Sequence, residues 1–278
     1  MKHLFVVILS WALLTGPALA ERPMRIISLA PNVTEILYDL GLGEQVIAVS
    51  SYCNYPPAVK KKPKIGGMSN PSLEAIVAMK PDMVVLTDDG NPREIEQRLR
   101  KLGIRVHIFR AKRLDDLPRE IRILGKALDV PKLAERRAER IEKVVRSYAK
   151  KVAAAPDRTG RKILFVVQPD PLMVAGPGTA IDDVLKLLGL QNIVVNAQTE
   201  YPRYSLEEVI RQAPDVIFIG MGYGDMKAQS RRLLKRLNHL EAVRKGRVYY
   251  IGDPLFRMGP RITDGISEIS GYIEKSRE

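Results

Sequence analysis

Leu73-Glu-Ala-Ile-Val-Ala-Met-Lys-Pro-Asp-Met-Val-Val-Leu-Thr87 is echoed further along the chain by Leu206-Glu-Glu-Val-Ile-Arg-Gln-Ala-Pro-Asp-Val-Ile-Phe-Ile219. In both, a Leu-Glu pair opens a short helix and a Pro-Asp pair eight residues later halts it. The apolar run that follows suits a strand buried on both faces. Every member is displaced by the same 133 residues, the mark of one structural unit used twice.

Working outward from the first copy, Arg25-Ile-Ile-Ser-Leu-Ala30 predicts a strand, Pro31-Asn32 a loop, and Val33–Leu40 a helix closed by Gly41 and Gly43. Val46–Ser50 is a second strand, ending in the loop Ser51-Tyr-Cys-Asn-Tyr-Pro-Pro57. Gly90-Asn91-Pro92 turns into a helix that reaches Leu102, and Val106–Phe109 is a further strand. From Lys162 the alternation restarts, with strand Ile163–Val167, loop Gln168–Gly178, helix Ala180–Leu188 and strand Ile193–Val195. Both halves open with a helix ending Leu-Gly-Leu, at 40–42 and at 188–190. Such alternation predicts parallel sheets covered by helices. Between the halves, apolar residues at 133, 137 or 138, 141, 144, 145, 148 and 152 predict a single helix over 131–153, its charged side in solvent. The expected fold is therefore α/β, two similar Rossmann-like lobes, 21–128 and 157–278, joined by a linking helix within 129–156.

Residues 1–20 are set apart from this plan. Lys2 and His3 precede the apolar run Leu4–Leu14, which is followed by Gly16-Pro17 and the small-residue site Ala18-Leu19-Ala20, the layout of a cleavable secretory signal. The run is well short of the ~20 residues a membrane-spanning helix needs. No Cys follows the cleavage site, so the mature protein is expected to be soluble in the periplasm, without a lipid anchor. Cleavage removes Trp11 and leaves Cys53 as the sole thiol, with no partner for an internal disulfide, so stability rests on packing.

The 278 residues are 45% hydrophobic, enough for a sizeable core and too many for a disordered chain. The net charge of +13 suggests nucleic acid until it is divided by region. Residues 21–128 carry 18 basic and 13 acidic side chains, 129–156 carry 8 and 4, and 157–278 carry 18 and 15. A charge spread so evenly, with no recognisable binding module, argues against a nucleic-acid partner. Catalytic signals are nearly absent too. His3 leaves with the signal, His107 sits in a strand and His239 in a charged helical stretch, so no zinc spacing arises. The chain has no G-x-S-x-G elbow and no phosphate-binding P-loop; Gly176-Pro-Gly178 and Gly220-Met-Gly-Tyr-Gly224 read as tight turns. A hydrolase working with cleft carboxylates is the remaining enzymatic reading, and no catalytic metal or cofactor is expected.

Two facing lobes make a cleft, lined by the loops at the carboxyl ends of the strands. Here these are Tyr52–Tyr55, Asp88–Asn91, Gln168–Gly178, Gly220–Gly224 and Asp253-Pro-Leu-Phe-Arg257. Their Tyr, Met and Phe suit a large flat or apolar ligand, with Asp253 and Arg257 as orienting polar groups.

Arg25-Ile-Ile-Ser-Leu-Ala-Pro-Asn-Val-Thr-Glu35, Ser51–Pro57, Asn70-Pro-Ser-Leu-Glu74 and Lys80-Pro-Asp82 resemble the periplasmic substrate-binding proteins of ABC importers for cobalamin, haem and ferric siderophores, over essentially all of the mature chain. Ser51–Pro57 and the ending Asp253-Pro-Leu-Phe-Arg-Met-Gly-Pro-Arg-Ile262 are most similar to the cobalamin-binding subgroup. The resemblance implies a monomeric receptor without catalysis. It implies corrinoid contacts at Tyr52, Met173, Tyr201, Asp253 and Arg257, and docking of Glu74 and Glu207 onto arginines of a paired membrane permease. One acid per lobe suits a two-fold symmetric partner. Cobalamin binders of this kind often line the cleft with Trp; here Gly67 or Met68 and Asp88 stand near those places. Haem or a ferric siderophore stays open as the ligand, with Tyr52, Tyr55 or Tyr201 as phenolate ligands or stacking surfaces.

Overall fold

The computed structural model describes residues 24–156, 159–222 and 225–276. The expected signal at 1–20 lies outside these, as do Tyr223 and Gly224 of the second Gly-rich loop. Among the described residues no helix is long and apolar enough to cross a membrane.

The first lobe is built from β1 (Ile26–Ser28), α1 (Pro31–Asp39), β2 (Val46–Val49), α2 (Leu73–Ala78), β3 (Met83–Thr87), α3 (Arg93–Lys101), β4 (Arg105–Phe109) and α4 (Asp116–Ala127). Its four strands are parallel, in the order β2-β1-β3-β4. One face of the sheet buries Ile27, Ala48, Val84 and Leu86 against Ile76 of α2 and Ile95 and Leu99 of α3. Truncating a fully buried side chain such as Ile76 to Ala removes about 2–5 kcal/mol.

α5 (Pro131–Ala153) then crosses to the second lobe as one helix of 23 residues, roughly 34 Å long at 1.5 Å per residue. Its start packs tightly on α4, where any Cβ at Gly125 would strike Ala134, and Arg122 of α4 reaches Glu135 and Glu142.

The second lobe comprises β5 (Lys162–Pro169), β6 (Leu172–Val174), α6 (Ala180–Leu187), β7 (Gln191–Asn192), α7 (Leu206–Gln212), β8 (Val216–Gly220), α8 (Met226–Arg236), α9 (Glu241–Arg244), β9 (Val248–Ile251) and α10 (Ile262–Lys275). β7, β5, β8 and β9 repeat the parallel order of the first lobe. β6 departs from the all-parallel expectation. Only Asp170 and Pro171 separate it from β5, too short a link for a crossover, so it folds back as an antiparallel hairpin. A second departure is at Ile193–Val195, expected as a strand: pairing stops at Asn192, whose Oδ1 accepts from the Val194 amide while its Nδ2 donates to Ala175 O and Asp182 Oδ1. That side chain offers the backbone an alternative to the ladder. His239, expected within a helix, falls between α8 and α9.

The repeat is carried to individual hydrogen bonds. Ser72 caps α2 by accepting from the Ala75 amide, and Ser205 caps α7 from the Glu208 amide. Lys80 and Ala213, after the two helices, both take left-handed backbone at φ 46° and 47°. Asp82 accepts from the Arg25 amide at 2.8 Å, and Asp215 from the Lys162 amide at 2.8 Å, each fixing the entry to its lobe's central strand. The inner faces of both sheets meet in one continuous apolar cluster that takes in Val85 and Phe109, Ile141 of α5, and Phe165 and Phe218.

Candidate functional site

A cavity of about 620 Å³ opens between the lobes, at the carboxyl ends of the strands of both sheets. The first lobe supplies Pro31, Asn32, Met68, Asp89 and Lys112; the second supplies Gln168, Asp170, Glu200, Phe256 and Met258 among others. The expected residues Asp253 and Arg257 both line it. Tyr52, Met173 and Tyr201, expected as ligand contacts, are not among its lining residues; each only neighbours one. Tyr52 is 44% exposed, with its ring against Gly67, next to Met68. Met173 pairs with Gln168 in the hairpin and bridges to Arg203. Tyr201 is 41% exposed and follows Glu200.

Arg257 is not free for a ligand in the way its position suggests. Its Nη1 donates to Glu35 Oε1 at 2.7 Å and to Asn54 Oδ1 at 2.8 Å, and its Nη2 pairs with Asp253 at 3.0 Å. Glu35 is buried at the centre of this group and also takes a two-pronged contact from Arg261, at 2.7 and 2.8 Å. That bond holds the Arg261 guanidinium above its ordinary pKa against the opposing effect of desolvation. Arg261 in turn covers the Tyr55 ring at 4.0 Å, and Tyr55 faces a separate depression with Tyr38 and Arg137. Glu35 belongs to α1 and the two arginines to the second lobe, so the cluster ties the lobes together beneath the cleft. Arg113 and Asp183 form a second, more exposed tie.

The lining of the cleft is acidic in a basic chain. Among the described lining residues, Asp89, Asp170, Glu200 and Asp253 face only Lys112 and the already committed Arg257. The phenol of Tyr201 is pushed up from its ordinary pKa by burial first, then by Glu200 and by Asp89 of the opposite lobe. Cys53 is buried and held between Thr34 and Ser50, with burial raising its thiol, so it is a packing residue. Glu74 and Glu207 lie away from the cleft, exposed in the first turns of α2 and α7.

Asp89 and Asp170 fall in two of the loops expected at the cleft, though neither was named as a contact, and Glu35, Arg261, Glu200 and Lys112 were not singled out by sequence reading. Glu35 did leave a signal: a carboxylate set among Val33, Ile36 and Leu37 on a buried helix demands a partner. The others are ordinary loop charges until the lobes are brought face to face.

The sequence profile of the periplasmic binding protein family matches residues 26–255. A vitamin B12-binding protein of Pectobacterium atrosepticum is 33% identical over 200 residues, 71% of this chain and 72% of that one. The crystal structure of the periplasmic vitamin B12-binding protein of Vibrio cholerae superposes with a TM-score of 0.79 at 26% identity, covering 91% of this chain and 98% of that one. A periplasmic haem-binding protein of Roseiflexus superposes with a TM-score of 0.82 at 28% identity, covering 92% and 99%.

Proposed function

This chain belongs to the periplasmic binding protein family, and on that premise we propose that it captures a corrinoid in the cleft between its lobes and hands it to an ABC importer. The reading includes export by residues 1–20, a soluble monomer in the periplasm, and lobes at 21–128 and 157–278 braced by 129–156.

The observation that carries the choice of ligand is the acidic cleft whose one arginine is already spent on Glu35 and Asp253. A corrinoid is rimmed with amides, whose N–H groups donate to carboxylates. Haem carries propionates and ferric siderophores are commonly anionic, and both would meet Asp89, Asp170 and Glu200 with like charge. Tyr52, Met173 and Tyr201 cover the faces of the macrocycle at the rim, while Asp253 and the carboxylates around it hold its edge.

Haem is the second reading, supported by the Roseiflexus similarity. Glu74 and Glu207 are the docking residues, one per lobe, on a surface the ligand does not reach. Titration calorimetry with cyanocobalamin, haemin and a ferric siderophore decides among the ligands. Saturable binding of cyanocobalamin with haemin at least tenfold weaker is expected; haemin binding more tightly overturns the corrinoid reading.

A further inference from the structure

Val77 and Ile210 are 38% and 40% exposed, in a chain whose other β-branched strand and helix residues are mostly buried. They are displaced by the same 133 residues as the rest of the repeat, and each lies three residues after Glu74 or Glu207. On a helix that spacing puts glutamate and aliphatic side chain next to one another. The preceding residues, Ile76 and Val209, are fully buried and hold α2 and α7 to their sheets, so the exposed pairs are displayed by rigidly seated helices. Among the described residues neither glutamate is in an ion pair, and Glu74 accepts one hydrogen bond, from the Ser72 hydroxyl at 3.2 Å. Glu208, beside Glu207, makes the contrast: Arg211, Gln212 and Tyr204 engage it and hold its carboxyl down at about 2.

An exposed ion pair contributes little, because water screens it and two long side chains must be ordered. Two such pairs are a weak grip. An apolar neighbour that seats in a socket excludes water around the pair and raises its worth. We infer that Glu74 with Val77, and Glu207 with Ile210, form two equivalent two-part anchors, each an acid and an aliphatic wedge, for a two-fold repeated partner that presents a basic group beside an apolar socket on each half. The inference rests on the proposed docking of Glu74 and Glu207 and adds the residues that give it strength. One exposed acid outside any ion pair, at the same place on each lobe of a chain of net charge +13, selects a basic counterpart, and the duplication selects a duplicated one.

The test is photo-crosslinking of the full-length chain, exported in its own host, with p-benzoylphenylalanine at position 77 in one variant and at 210 in another. Both should join the same multispanning membrane polypeptide, with no ligand needed, so a wrong ligand assignment leaves this result unchanged. Ile210→Asp should lower the yield from position 77 about tenfold, and Val77→Asp the yield from position 210 likewise, because both anchors grip one partner at once. Circular dichroism should show both variants folded. Glu74→Lys with Glu207→Lys should abolish both adducts. If the lysine pair has no effect, the docking reading itself fails. If the lysine pair abolishes the adducts while the aspartates leave the yield unchanged, the glutamates dock alone and the two-part anchor is overturned. Adducts to different polypeptides, or to a second copy of this chain, also overturn it.

Discussion

Far from the cleft, the second lobe repeats the first down to single side chains. Ser72 and Ser205 cap the helices, Lys80 and Ala213 make the left-handed turn, and Asp82 and Asp215 clamp the entry of β1 and β5. At the cleft the two lobes part. β1 stops after three residues and passes almost directly into α1, whereas β5 runs on for eight and folds back into β6. The first lobe brings Asp89 and Lys112 to the cavity; the second brings Asp170, Glu200, Asp253 and Arg257. The repeated features form the scaffold and the outward surface, and the unrepeated ones form the cavity. A symmetric surface fits a symmetric partner, and an asymmetric cavity fits an asymmetric ligand.

The largest expected effect breaks the symmetric side alone. Glu74→Ala with Glu207→Ala should reduce transport in reconstituted vesicles to background while ligand affinity measured by calorimetry stays unchanged. The two single substitutions should be matched in effect; a large imbalance would mean the repeat is structural only, and unchanged transport in the double variant would remove the docking role.

Next comes the tie beneath the cleft. Glu35→Ala takes from the half-buried Arg257 and Arg261 their common partner while leaving Arg257 its bonds to Asp253 and Asn54, so the loss should fall near the low end of the about 3–5 kcal/mol that breaking a fully buried pair costs. Denaturant melts should show that loss, and a midpoint within error of wild type would contradict the placement of Glu35. Arg257→Ala removes one of the two arginines on Glu35 and leaves the Arg261 contact, so it should lower stability less than Glu35→Ala, along with any change in affinity.

How much of this was legible in the sequence follows from the range of the contacts involved. The repeated units are local: Ser72 and Ala75, or Leu73 and Pro81, lie within one helix and its stop, so periodicity and turn residues reveal them. The linking helix was equally plain, because its apolar stripe is continuous over 131–153. The cleft is different. Glu35 and Arg261 stand 226 residues apart, and Asp89 acts on Tyr201 only after the two lobes have been brought together. Nothing local marks such partners. The Asn192 turn was missed for a related reason, since the apolar run Ile193-Val194-Val195 looks like a strand until Asn192 is seen bonding to Asp182 and Ala175.

A smaller effect tests the rim. Tyr52→Ala should weaken corrinoid binding by about 1–3 kcal/mol through lost apolar contact, with no change in docking. Equal affinity in calorimetry would move Tyr52 from the site to the surface. Smallest of all should be the change of shape on binding. α5 is a continuous hydrogen-bonded rod, and Glu35 with its two arginines ties the lobes, so solution scattering curves with and without ligand should nearly superpose. A large rotation between lobes would contradict the brace.

The measurement that bears most directly on the asymmetric cleft is the absorption spectrum of the wild-type protein purified, without added ligand, from its own host grown with a corrinoid supply. The account predicts the bands of a corrin in a near one-to-one ratio to protein. A Soret band of haem, or the charge-transfer band of a ferric siderophore, in place of the corrin spectrum would contradict it.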